Sequence, residues 1–339
     1  MFWNATAFNQ PLTFDTSKAP SMLDMFDGAS AMTYPKPVKR PKPATKEELR
    51  TWLKEYRRGE LGEPNTWDVT SVTDMSELFA GLGTFNAPID QWDTSKVTTM
   101  EGMFWGARAF NQPLTFDTSQ VTNMNSMFGN AIAFNQPLTF DTSKVEDMSD
   151  MFRRADSFNQ PLTFDTAKVT DMSGMFYEAE SFNQPLTFNT VQVTNMSRMF
   201  KKAHAFNQPL TFDTAQVTTM LWMFERAYAF NQPLTFDTAQ VTTMEHMFYG
   251  ATAFNQPLTF DTAQVTTMHG MFQEATAFNQ PLTFTDTSKV WNMVAMFQGA
   301  TAMTYPRPRV VDSSSEEEDE EDSSSEEEDE EDSSSEEEE

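Results

Sequence analysis

The chain has 339 residues, 39% of them hydrophobic and 13% aromatic, and carries a formal net charge of −27 at pH 7. It has no cysteine, which excludes disulfide frameworks, thiolate metal sites and thiol nucleophiles. Most of the charge is local: residues 312–339 hold 19 acids and no base, leaving 31 acids against 23 Lys and Arg elsewhere, so no general nucleic-acid surface is expected.

At the amino end, Met25 to Pro35 reads MFDGASAMTYP and nearly copies MFQGATAMTYP at Met296 to Pro306. Residues 1–35 therefore read as the remnant of a preceding repeat array with its terminator. Residues 36–44 form a Pro-rich basic linker, and residues 45–84 a helical N-terminal cap followed by the first coil. The opening MFWNATAFNQPL lacks a basic start followed by an apolar run, and no stretch approaches the ~18 apolar residues of a membrane span.

Residues 85–306 are the main array. Phe-Asn recurs from Phe85 to Phe278, the first step being 25 residues and every later one 24, and Met-Phe pairs keep the same beat from Met103 to Met271. Met296 comes one residue late because Thr285 is inserted. So strict a period means stacked coils that bury a continuous spine of Phe, Met, Leu and Val.

In the repeat from Val121 to Lys144, the apolar Val121, Met124, Met127, Phe128 and Ala131 recur at spacings of three and four, which predicts a short helix capped by Thr122 and the preceding Asp-Thr-Ser run. Pro137 forbids helix, and Leu138-Thr139-Phe140 alternates as a very short strand would. The expected fold is thus a right-handed repeat solenoid, leucine-rich-repeat-like α/β, with one short parallel strand and one short helix per coil. Residues 307–339, with three near-copies of SSSEEEDEED, are expected to be a disordered acidic tail. Ser313, Ser314, Ser315, Ser323, Ser324 and Ser325 precede glutamates in the pattern favoured by acidophilic kinases and are candidate phosphorylation sites.

The units AFNQPLTFDTSKVTDMS-x-MF resemble the repeats of the BspA-like leucine-rich-repeat surface proteins, written FN-x-x-I-x-x-WDTS-x-V-x-x-M-x-x-MF. TKEELRTWLKEY from Thr45, with WDVTSVTDMSELF and FNAPIDQWDTSKV, is similar to that family's cap and first repeat. The resemblance spans roughly Thr45 to Thr304 and implies a surface-exposed role in adhesion or interaction. This chain departs from it in using Gln-Pro-Leu-Thr-Phe where the family has Asp-Ile-x-x-Trp.

Both the repeated and the variable positions carry residues with possible functional chemistry. The Asp series Asp93, Asp117, Asp141, Asp165, Asp213, Asp237 and Asp261 reads as turn acceptors, with a calcium ladder as the alternative; Asn189 takes one of the places. The Asn-Gln pairs read as a ladder for turn backbone groups. His204, His246 and His269 fall at different phases of the repeat and are expected to be exposed and unstacked. Catalysis needs one special place whereas this chain repeats every place, so no enzyme, cofactor or metal site is expected.

The variable slots flank Met-Phe and hold Trp105, Arg108, Arg153, Arg154, Tyr177, Arg198, Lys201, Lys202, His204, Trp222, Arg226, Tyr228, Tyr249 and His269, the basic and aromatic types that interfaces favour. They are the candidate partner-binding face. The expected function is a non-enzymatic interaction or adhesion module that binds a protein or cell-surface ligand, with a basic partner for the acidic tail. The alternatives are a structural component of a surface layer or virus particle, and an intracellular scaffold with a phosphorylated tail.

Overall fold

A computed structural model describes residues 3–10, 28–31, 42–56 and 62–308. The linker, the phosphorylation-candidate serines and the acidic tail fall at least in part outside the described residues. Among those described, the one α-helix is α1, Lys46–Glu55. Thr45 caps it by accepting from Glu48 N, and Glu48 Oε2 accepts in return from Ala44 N at 2.8 Å. Leu49 and Leu53 are buried against the first coil, so the expected helical cap is present.

The coils of the main array, residues 85–306, contain no helix. In the unit from Val121, the amides of Met124, Ser126, Phe128 and Asn130 donate forward to the carbonyls of Asp147, Ser149, Met151 and Arg153 in the next coil, at 3.0, 2.8, 2.9 and 2.7 Å. The intervening amides of Met127, Gly129 and Ala131 close back by three residues onto Met124, Ser126 and Phe128, at 3.2, 2.9 and 3.0 Å. Each coil wall is therefore a run of overlapping tight turns. The turns closed by Met127 and Ala131 carry a left-handed residue at their third position, Ser126 and Asn130, both with φ of 55°. The pattern recurs through Asp150 and Arg154, Gly174 and Glu178, Arg198 and Lys202, Trp222 and Arg226, His246 and Gly250, and Gly270 and Glu274.

This corrects the predicted helix, and the physical reason is plain. Consecutive turns place apolar residues inward at the same spacings of three and four as a helix, so Val121, Met124, Met127, Phe128 and Ala131 are all fully buried, while the amides of Met124 and Phe128 serve the next coil and those of Val121, Met127 and Ala131 close turns within their own. The predicted strand is corrected as well. Leu138 and Phe140 point inward and Thr139 outward, but no strand forms there, and Pro137 has no amide to donate. Parallel bridging lies instead two residues after each Val, in the series Asp74, Thr99, Asn123, Asp147, Asp171, Asn195, Thr219, Thr243, Thr267 and Asn292, with one further bridge between Leu258 and Leu282.

The core consists of columns of phenylalanine. Phe104, Phe128, Phe152, Phe176 and Phe200 stack face to face at 5.5–5.8 Å between ring centres, and Phe110, Phe134, Phe158, Phe182 and Phe206 at 6.1 Å. Within a coil the two columns touch, as at Phe152 and Phe158, 4.1 Å apart. Polar ladders run alongside. From Asn111 to Asn255 each Asn Oδ1 of the ladder accepts the amide of the Asn 24 residues later, as Asn135 does from Asn159 at 3.0 Å, and also the Gln160 side chain at 3.0 Å. The buried Thr118, Thr142 and Thr166 donate to the carbonyls of Asp141, Asp165 and Asn189 one coil on. The inserted Thr285 is absorbed by bonding Asp261 Oδ1 and the amide of Thr262.

Residues 3–10 and 28–31 show the same local geometry. Asn4 and Gly28, 24 apart, have φ of 55° and 73°, and a side chain on Gly28 would run into Asn4.

Phe152→Ala should lower unfolding free energy by about 3–5 kcal/mol in denaturant titration, because the vacated space is walled by rings on both sides. Phe297→Ala, in the last coil and stacked only on Phe272, should cost clearly less. Equal losses would contradict a core built from inter-coil stacking.

Candidate functional site

The left-handed positions and their neighbours decide where the variable side chains go. In each coil the residue before the Met, and the two after the Phe, project from the turn run onto one wall, and residues 24 apart stand above one another. The structure brings most of the candidate residues together there. The Arg153 guanidinium lies 5.8 Å from the centre of the Trp105 ring on one side and 4.9 Å from Tyr177 on the other. Trp105 can reach past its own coil because the intervening residue is Gly129, where a Cβ would run into the indole.

Further along, Lys201 Nζ sits 5.6 Å from the Tyr177 ring centre and 4.2 Å from that of Trp222, which also carries Arg198 at 4.6 Å. Arg226 packs on Tyr249 at 5.2 Å and donates to its hydroxyl at 3.2 Å. Cation and ring thus alternate from Trp105 to Trp222, with Arg226 and Tyr249 a further pair beyond, and each cation is attracted to the negative face of a neighbouring ring.

Acids that the sequence reading did not single out complete the row. Glu178 lies 24 residues from both Arg154 and Lys202 and pairs with each, at 3.1 and 2.6 Å. Burial alone would push its carboxyl up, but the Lys202 and Arg154 cations hold it below the usual range; Lys202 is in turn raised by its bond to Glu178. Lys201 and Glu225 form a 2.6 Å pair that is only 13% and 11% exposed. Asp150, half-buried, is pushed up by desolvation despite Arg153 and Arg198 nearby. Reading the chain at an offset of 24 would have found Glu178 and Glu225.

The histidines correct the expectation of scattered, exposed side chains. All three are half-buried. His246 Nδ1 accepts from Trp222 Nε1 at 3.0 Å, and its ring meets that of His269 edge-on at 4.9 Å. His269 Nδ1 is buried without a hydrogen-bond partner among the described residues. His204 stacks on Tyr228 at 4.8 Å in an adjoining column, and the exposed Arg108 stands in that column several coils away from them.

On the repeated side, each carboxylate of the Asp series accepts a turn amide two residues on, as Asp117 does from Ser119 and Asp141 from Ser143, both at 3.0 Å. Asn189 accepts in the same way from Val191, which explains why the exchange leaves the coil intact. No group of three or more metal-ligating side chains occurs among the described residues. No described helix is long and apolar enough to cross a membrane.

Burial and the neighbouring His269 lower the affinity of His246 for a proton, and its role as acceptor from Trp222 requires a bare Nδ1. A histidine depressed in the folded state contributes stability that is present above its unfolded pKa of about 6.5 and lost as pH falls towards its folded value. Stability measured between pH 7.5 and 5 should therefore fall, and His246→Asn should flatten that segment of the profile. An unchanged slope in the variant would contradict this environment for His246.

The family described as "Mycoplasma protein of unknown function, DUF285" matches the chain over residues 1–39, 48–163, 138–235 and 233–316. No curated protein matches it.

Proposed function

We propose, from the premise that this chain belongs to the DUF285 family, whose repeats are those of the BspA-like proteins, that it is a non-enzymatic binding module whose cation and aromatic wall docks a protein or cell-surface ligand. The observation that carries this reading is the row running from Trp105 through Arg153, Tyr177 and Lys201 to Trp222, with the Arg226–Tyr249 pair beyond it on the same wall. Rigid aromatic and Arg side chains in a contiguous patch are the groups that dominate interface energetics. Six cations, Arg153, Arg154, Arg198, Lys201, Lys202 and Arg226, gather on a body that otherwise carries an excess of acid. Adhesion at a surface follows from the BspA-like resemblance, and the leucine-rich-repeat kinship is one of period and coil stacking.

Backbone conformation adds support. Arg154, Arg198, Lys202, Trp222, Arg226 and His246 all occupy left-handed positions that glycine fills in other coils, such as Gly106, Gly174 and Gly250. A non-glycine residue there is disfavoured by roughly 1–2 kcal/mol, so bulky side chains at these points stand against local backbone preference.

The test is a chain carrying Arg153, Lys201, Trp222 and Arg226 all changed to Ala, compared with the unaltered chain in binding to intact cell surfaces and to soluble extract. Loss of a retained partner by at least about tenfold, roughly 1.4 kcal/mol, is expected. Undiminished binding would sink the assignment of this wall.

A further inference from the structure

The forward-donating amides set up a difference between the two ends of the array. Every coil accepts from the coil before it and donates to the coil after it along the same row. At the first coil the carbonyl side of that row has no preceding coil, and α1 covers it with cations. Arg50 donates to the Ala80 carbonyl at 3.4 Å, and Lys46 Nζ bonds Asp74 Oδ2 at 2.7 Å and Ser76 Oγ at 2.8 Å.

At the last coil the situation is reversed. Met268, Gly270, Phe272 and Glu274 donate to Asn292, Val294, Met296 and Gln298. The corresponding amides of that final coil, on Met293, Ala295, Phe297 and Gly299, donate to nothing among the described residues. Ala295 and Gly299 have φ of 57° and 76°, so left-handed residues alternate with ordinary ones and turn four amides to the same side. The intervening amides of Met296, Gln298 and Ala300 close turns, so the four form a row of alternate donors like the open edge of a sheet, which favours anions.

Three observations choose the occupant. The edge presents only donors from this row, so a second copy applied by its own last coil would set donor against donor. Arg307 adds a cation 5.7 Å from the Phe297 ring centre, and with Pro308 it borders a shallow depression floored by Met293, Ala295 and Phe297. The chain is thus delivered to this edge at Pro308, and its acidic run opens at Asp312, followed by Glu316 to Asp322. At about 3.3 Å per residue, the few intervening residues are enough to cross one coil end.

We infer that the row of amides at Met293, Ala295, Phe297 and Gly299 is a carboxylate-binding edge, and that its ligand is the chain's own acidic segment beginning at Asp312. The segment closes the donor end of the array with acids as α1 closes the acceptor end with bases. This goes beyond the wall between Trp105 and Tyr249 and does not depend on it.

Amide hydrogen exchange at Ala295, Phe297 and Gly299 tests the inference in three chains: the full chain, a chain ending at Val311, and a full-length chain with the 19 tail acids replaced by Asn and Gln. Exchange about tenfold slower in the full chain than in the other two, with the difference erased by 1 M salt, is expected. Amides on Met151 and Phe152 serve as a control for an intact array. Equal exchange in all three chains, or equal protection by the neutral tail, would overturn it. Protection that appears in the shortened chain and rises with protein concentration would give the edge to a second copy and overturn it as well.

Discussion

Within the array, half of the amides along each turn wall are satisfied by the coil that follows. A helix closes its hydrogen bonds within itself, whereas here Met124, Ser126, Phe128 and Asn130 depend on carbonyls of residues 147–153. An isolated coil would leave four donors and its whole apolar face unsatisfied. Stability is therefore a property of neighbouring pairs, and the uniform 24-residue beat is its requirement. Phenylalanine is suited to that beat, since a flat ring stacked near 5.5–6.1 Å fills the rise between coils without changing register.

The same constraint shapes the wall proposed to bind. Two left-handed residues per coil are fixed by the turns, and the side chains attached to them project outward in register. A cation in one coil then meets a ring or an acid in the next, as Arg198 meets Trp222 and Arg154 meets Glu178. The row is rigid because its members hold one another, which lowers the entropy lost when a partner docks. Along the turn wall the ends of the array inherit the remaining consequence: that row exposes carbonyls at the first coil, where α1 brings Arg50, and amides at the last.

The stacked array, its buried spine, the helical cap and the Asn-Gln ladder were legible because periodicity reports directly on which side chains are enclosed. The local backbone was not. Spacings of three and four are shared by a helix and by consecutive turns, and the residues at the left-handed positions, among them Trp222, His246 and Arg226, carry no outward sign of that conformation. The clue lay in comparing coils, where Gly102, Gly174 and Gly270 alternate with bulkier residues at one phase. For the wall, composition picked out Arg153, Tyr177 and Trp222, while the partners Glu178 and Glu225 and the seat at Gly129 become visible only when the sequence is written in columns of 24.

The claim that each coil lives by its neighbours is tested most directly by internal deletion. Removing residues 145–168, one whole period, should leave a cooperatively folding array with its Phe columns in register and a modestly lower unfolding free energy. Removing residues 145–156, half a period, should misplace every ladder beyond the cut and abolish cooperative unfolding. If denaturant titration found both deletions equally tolerated, or both equally destructive, the dependence of one coil on the next as described here would be wrong.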